Sequence, residues 1–487
     1  MNYKMMGKFI SQILLVEAVF MLPALLISAF SGETAALWAF VASIGIILVT
    51  AGVLYTLCRH ARRLFGAREG LVSVGLGWVV LSMLGCLPFY LSGQIPSYVD
   101  AVFEMVSGFT TTGASILSDV ERLSKGLLYW RSFSHWLGGM GVLVFLLAVV
   151  PAGGDKGFTM HLLRAESPGP DVGKLVPKMR QTATILYVIY IVLTVINILF
   201  LLAGGMDLLE ALCTAFGTAG TGGFGIKNDS MASYSPYIQN VTTVFMLLFG
   251  VNFSCYYLLL LRQLKNVWKD EELRLYLGIF AGATAIIVLN VWRSAQGMYA
   301  TAEEAIRHAA FQVSSIMTTT GFTTTDYDLW PVLSKSVLLL LMVVGACAGS
   351  TGGGMKGARV LLLLKSLRRN IQQVLNPNKV QLVRANGKCV SENVLNNTHA
   401  YLAAYVVIVI AGFLLISLDG FSVETNLSAV LACFNNIGPG MAQVGPTCNF
   451  GAYSDLSKII LSACMLAGRL EIFPILVLFS RSTWTRK

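Results

Sequence analysis

Apolar runs of about 20 residues or more recur along this 487-residue chain, the first from roughly Phe9 to Phe30, with short polar segments between them. A run of that length crosses a bilayer as a helix, whereas a barrel strand needs only about ten residues of alternating polarity. The fold class expected is an all-α integral membrane protein. With 55% hydrophobic residues, 12% charged residues and a mean hydropathy of +0.69, a soluble enzyme and a secreted disulfide scaffold are both excluded. The nine cysteines form no CxxC pair and no group with histidine, so they read as small buried hydrophobes. The first run lacks a cleavage site and reads as a retained helix.

The formal charge of +10 does not call for nucleic acid, because the basic residues cluster between pairs of apolar runs. The clusters fall at Lys4 and Lys8; Arg59 to Arg68; Lys156 to Arg180; Arg262 to Arg274; Lys365 to Lys388; and Arg481 to Lys487. Two crossings separate consecutive clusters, so all can face the cytoplasm, and both termini are expected there. The intervening loops carry Asp100, Glu104, Asp119, Glu121, Asp207, Glu210, Asp326 and Asp328. An outer face of that sign attracts cations.

After two N-terminal helices within residues 1–68, the chain divides into four units of one layout, at 69–177, 178–272, 273–394 and 395–487. Each reads as a full helix, a half-helix too short to cross, a Gly-centred loop and a second full helix. The central stretches are Thr110-Thr111-Thr112-Gly113-Ala114, Ala219-Gly220-Thr221-Gly222-Gly223, Thr318-Thr319-Thr320-Gly321-Phe322 and Asn435-Asn436-Ile437-Gly438-Pro439. Aligned on Gly113, Gly222, Gly321 and Gly438, they are 109, 99 and 117 residues apart. Irregular backbone at membrane depth must line a cavity or be buried in protein. Four such loops around one axis would present carbonyls to a dehydrating cation, with the negative end of each half-helix dipole directed at it. Asp100 and Asp207 stand near the starts of the first two half-helices.

In the third unit the second helix, from about Val332, runs into Gly345 to Gly357, which no regular helix tolerates. Gly349, Ser350, Thr351, Gly352, Gly353, Gly354 and Lys356 are read as a movable gate beneath the loops. Met355 between Gly354 and Lys356 spoils any likeness to a phosphate-binding loop. The last helix holds Arg469 within an apolar run; an intramembrane charge is expensive, so Arg469 is read as part of the gate, facing the pore as a positive barrier below the loops. Two positions further, Glu471 points elsewhere and would hold Lys356 or another basic group. Glu17 reads as a helix contact. Tyr129 to Trp136 invites a catalytic reading at Ser134 and His135, but adjacent helical residues diverge, and an interfacial aromatic belt is expected instead.

In these features the sequence resembles the TrkH family of bacterial potassium-uptake membrane subunits, within the wider TrkH, KtrB and HKT superfamily. The likeness spans the whole chain and rests on the four glycines, on Thr318-Thr319-Thr320-Gly321-Phe322-Thr323-Thr324 before Asp326-Tyr327, on the Gly-rich break, and on Gly468-Arg469-Leu470-Glu471-Ile472-Phe473. The resemblance implies potassium ligands at the carbonyls of Thr111, Thr112, Gly220, Thr221, Thr319, Thr320, Asn436 and Ile437, completed by Gly113, Gly222, Gly321 and Gly438. Pro439 departs from the family pattern. Gly113, where a Ser accompanies sodium preference in the superfamily, fits potassium. The resemblance also implies a homodimer on a cytosolic, nucleotide-binding tetramer of the TrkA type.

The function expected is potassium uptake across the bacterial inner membrane through a gated pore driven by the membrane potential, with no enzymatic activity and no bound cofactor. Lys and Arg in loops 151–178 and 365–394 offer partner contacts. The rival expectation is a potassium symporter coupled to protons or sodium by alternating access.

Overall fold

A computed structural model of the chain describes residues 1–59, 66–141, 179–294, 298–379 and 381–484. The loop 151–178, expected to contact a partner, lies outside these residues. Six of the described helices are long and apolar enough to cross a membrane, or seven if one bent pair counts as a single span. Two of them, Tyr3–Phe30 and Thr34–Leu57, form an N-terminal hairpin closed at Gly32. Trp38, Val49 and Leu57 stay exposed along its second helix, the pattern of a surface meant for lipid. Glu17 faces inward and meets the backbone at Gly85, a helix contact as its sequence setting suggests.

The four half-helices are Tyr98–Phe109, Leu208–Gly220, Ala302–Met317 and Val423–Phe434. Each starts at a side-chain cap, Ser97, Asp207, Thr301 or Ser422, whose oxygen accepts a first-turn N–H, and carries acid in that turn. Cap and acid offset the positive end of the dipole, leaving the carbonyl end to face inward.

Packing closes the units into a ring. The second helix of unit one, Lys125–Gly139, packs on the half-helix of unit two; Pro236–Phe249 packs on that of unit three; Val332–Val343 on that of unit four; and Asp455–Arg469 returns to that of unit one. The sequence suggests one broken second helix. Among the described residues there are three: Pro236–Phe249 bends by 89° into Phe253–Leu260, Val332–Val343 gives way to a loop before Gly357–Leu375, and Asp455–Arg469 stops before Phe473–Phe479. The breaks at Gly250-Val251-Asn252 and Leu470-Glu471-Ile472 are as local as the Gly-rich one is long. Glu471 and Ile472 both have positive φ there, at 59° and 69°, a conformation that a β-branched residue rarely adopts.

Candidate ion filter and gate

Each half-helix ends in the same hydrogen-bond pattern, a helix stop in which the sixth residue donates back to the first. The N–H of Thr112 reaches the Ser107 carbonyl at 2.9 Å, Gly222 reaches Gly217 at 2.9 Å, Thr320 reaches Ser315 at 2.8 Å and Ile437 reaches Ala432 at 2.9 Å. The preceding residue in each case takes the left-handed conformation: Thr111 at φ 56°, Thr221 at 55°, Thr319 at 58° and Asn436 at 56°. Glycine usually fills that position, because a side chain costs roughly 1–2 kcal/mol there. Four non-glycine residues in one strained state mark a functional constraint.

Directly after this stop, Gly113, Gly223, Gly321 and Gly438 turn to φ 81°, 75°, 86° and 97°. Each lies against a carbonyl of a neighbouring loop. A β-carbon at Gly113 would sit 1.9 Å from the Gly222 oxygen, at Gly223 2.0 Å from that of Thr320, at Gly321 2.1 Å from that of Ile437, and at Gly438 2.8 Å from that of Thr112. The four loops thus meet in a closed cycle, and Thr112, Gly222, Thr320 and Ile437 occupy one level of it.

This geometry shifts the second loop by one residue from its sequence alignment. Gly223, not Gly222, stands where Gly113 stands, and Thr221 with Gly222 correspond to Thr111 with Thr112. Gly220 is the last residue of its half-helix, pressed against the His135 backbone. Thr111, Thr112, Thr319, Thr320, Asn436 and Ile437 lie where the alignment puts them, and Pro439 does not disturb the backbone of the fourth loop.

Side chains brace the cycle from behind. Asn436 Nδ2 donates to Thr112 Oγ1 at 2.9 Å; the Thr110 and Thr112 hydroxyls lie 2.8 Å apart; and Thr110 Oγ1 donates to the Val106 carbonyl at 2.7 Å. Loop three repeats the pair at Thr318 and Thr320, 2.7 Å apart. Glu104, fully buried, accepts from Arg131 Nε at 2.6 Å, from Ser115 Oγ at 3.0 Å and from the Ile116 N–H at 3.0 Å. Arg131 also donates to the Gly225 carbonyl at 3.0 Å and lies 3.5 Å from the centre of the Phe224 ring. One ion pair therefore fastens the exits of loops one and two.

His135 Nδ1 meets the Gly108 carbonyl at 2.7 Å, and Trp130 Nε1 donates to the Gly85 carbonyl at 2.9 Å. The Tyr129–Trp136 stretch is thus no interfacial belt. Tyr129, Trp130, Arg131, Phe133 and His135 are buried, because Lys125–Gly139 is walled in by the half-helices of units one and two and by the first helix. The signal for this brace is the presence of Glu104, Arg131 and His135 in otherwise apolar segments.

Below the cycle lies the Gly-rich loop, 344–356, folded back on itself. Gly345 N donates to the Met355 carbonyl at 2.9 Å, and Gly357 N to that of Ala346 at 3.0 Å. Gly353 N donates to Thr319 Oγ1 at 2.6 Å, so the segment touches the strained residue of the third loop of the cycle. Buried Lys356 donates to the Gly352 carbonyl. Gly349 accepts from Phe253 N at 3.0 Å, and Ser350 Oγ donates to the Cys347 carbonyl at 2.6 Å. Gly354 has φ 67°.

Arg469 joins the parts. It donates to the Thr351 carbonyl at 3.0 Å, to Thr111 Oγ1 at 3.3 Å, to the Gly139 carbonyl at 2.7 Å and to that of Gly138. It caps the negative end of Lys125–Gly139 while holding both the first loop of the cycle and the Gly-rich loop. Glu471 accepts from Arg359 rather than Lys356. Outside the cycle, Gly113, Gly223, Gly321 and Gly438 line an open cavity of about 100 Å³ together with Ser115 and Cys448.

A family model described as TrkH, cation transport protein, matches residues 37–485. The chain belongs to the TrkH family. It is 38% identical to the Trk system potassium uptake protein TrkH of Escherichia coli K12, over 86% of each chain, and 35% identical to that of Halomonas elongata, over 100% of each. Its fold is similar to the crystal structure of the potassium transporter TrkH from Vibrio parahaemolyticus, with a TM-score of 0.87 and 30% sequence identity over 100% of both chains. Membership in the TrkH family accords with a multi-pass helical membrane protein.

Proposed function

We propose that this chain is the potassium-translocating membrane subunit of a Trk uptake system, a pore and not an enzyme. The observation that carries the reading is the closed cycle of four glycines against four carbonyls. Backbone oxygens of Thr111, Thr112, Thr221, Gly222, Thr319, Thr320, Asn436 and Ile437 replace the hydration shell of the ion, and the four half-helix carbonyl ends hold it there. Potassium is the cargo. The driving force is the membrane potential, worth about 2.3 kcal/mol per elementary charge per 100 mV, so this chain needs no hydrolysis of its own.

The loop 344–356 is the gate, and its contacts with Thr319 and Arg469 hold it shut. Lys356 and Arg469 place positive charge on the ion's path below the filter. The protein resides in the bacterial inner membrane with both termini cytoplasmic, forms a homodimer, and is opened by a cytosolic nucleotide-binding partner of the TrkA type that contacts 365–394.

The test is flux into proteoliposomes holding the purified chain, with and without that partner, under an imposed potential and no proton or sodium gradient. Potassium entry exceeding sodium entry is expected. Flux that appears only with a proton or sodium gradient would replace the pore with a coupled symporter.

A further inference from the structure

One carboxylate oxygen, Oε1 of Glu272, accepts two backbone hydrogen bonds: from Ala348 N at 2.6 Å and from Ala358 N at 2.7 Å. Ala348 lies inside the Gly-rich loop, and Ala358 lies in the first turn of the helix that follows it. The two donors are ten residues apart in sequence and flank the segment that touches the filter. Glu272 is only 8% exposed, and its carboxyl group sits at the positive end of the Gly357–Leu375 dipole. It belongs to a different helix, Glu271–Ser294, so the bond from Ala348 is lost if the loop swings away, and the bond from Ala358 is lost if the start of the following helix moves with it.

The same helix start is tied to the cytoplasmic segment. Strands Arg384–Ala385 and Lys388–Cys389 pair antiparallel around Asn386-Gly387, both at positive φ, the turn that a tight hairpin prefers. Asn386 Nδ2 donates to Asp270 at 2.9 Å, Asn386 N to Glu271 at 3.1 Å, and Glu271 N to Asn386 Oδ1 at 2.9 Å. Lys365 bridges Glu271, at 2.5 Å, and the Arg384 carbonyl, at 2.6 Å.

We propose that Glu272 is a positioning residue, the catch that holds both ends of the gate loop closed, and that the 384–389 hairpin is its handle. The proposal rests on the reading of 344–356 as a gate. A hairpin displaced by a docked partner moves Asp270 and Glu271, and with them the acid that clasps the loop.

Partner-free potassium flux in proteoliposomes tests this. Glu272→Ala removes the acceptor of both bonds and should raise flux about tenfold. Glu272→Gln keeps an acceptor oxygen and should stay near the parent. Ala358→Pro removes one donor at a position in the first helical turn that tolerates proline, and should give a smaller rise with Glu272 intact. Asn386→Ala, which touches neither loop nor pore, should raise flux about threefold by freeing the turn that presents the acid.

Deletion of Ser350 to Gly353 is the control. If the deletion opens the pore while Glu272→Ala and Ala358→Pro do not, the catch is overturned and the gate stands. If the deletion also leaves flux unchanged, the gate reading fails and the catch with it. Equal opening by Glu272→Gln and Glu272→Ala would overturn the assignment to these two bonds, and no rise with Asn386→Ala would remove the hairpin from the mechanism.

Discussion

Gly113→Ser tests the filter most sharply, because its effect follows from distances. A β-carbon at 113 would lie 1.9 Å from the Gly222 oxygen, and real β-carbons do not approach closer than 3.0 Å, so that carbonyl must retreat by 1.1 Å. A side chain at φ 81° adds strain of about 1–3 kcal/mol. One of the oxygens that replace the ion's water is then displaced, and sodium, the smaller and more tightly hydrated ion, gains relative access. The potassium-to-sodium flux ratio should fall at least about tenfold, equivalent to about 1.4 kcal/mol. At Gly438 the same change meets the Thr112 oxygen at 2.8 Å and needs a retreat of only 0.2 Å. The expected order of damage is Gly113→Ser, Gly223→Ser and Gly321→Ser together, with Gly438→Ser clearly milder. The assay is paired potassium and sodium entry into proteoliposomes under one imposed potential. An unchanged ratio for Gly113→Ser, or equal damage at Gly438, would refute the carbonyl cycle as the selective element.

The register of the second loop has its own test. A β-carbon at Gly222 would strike the His135 ring at 2.4 Å, whereas one at Gly223 would strike the Thr320 oxygen at 2.0 Å, so His135→Ala should restore potassium flux to Gly222→Ala and not to Gly223→Ala. Arg469→Ala should raise partner-free flux about tenfold by releasing Thr351, with Arg469→Lys recovering only part of the closure because an ammonium lacks the planar fork; equal flux in all three proteins would exclude Arg469 as a closing contact. Arg131→Met leaves Glu104 buried without its counter-charge and should cost about 3–5 kcal/mol, read as a lowered thermal midpoint in detergent. A midpoint equal to the parent's would show that Glu104 is held by its other donors.

The half-helices are legible in the sequence because each carries its own cap and acid, at Ser97 and Asp100, Asp207 and Glu210, Thr301 and Glu304, and Ser422 and Glu424. These are local signals. The Gly-rich break is legible for the same reason. Register in the second loop is not, since Gly222 and Gly223 are adjacent and only the carbonyl of Thr320, nearly one hundred residues away, distinguishes them. The charges of Glu104 and Arg131 stand out in apolar segments, but their pairing escapes local reading. Its members lie 27 residues apart on different helices, and the aromatic residues around Arg131 look the same whether they face lipid or a packed interior. The short breaks after Phe249 and Arg469 hide within apolar runs of ordinary length, where hydropathy does not register a bend.

The cycle of four loops belongs to one covalent chain, and that has a consequence for how such a pore can diverge. In a pore assembled from identical subunits, every substitution is imposed four times at once. Here each corner is inherited separately, so Thr112, Gly222, Thr320 and Ile437 can share one level while differing in chemistry. A glycine-rich segment can sit under one quadrant and a positive charge beside another, as Gly353 against Thr319 and Arg469 against Thr111 do. Fusion of the quadrants is what makes a lopsided surround permissible, and it lets the contribution of each corner be measured by changing that corner alone.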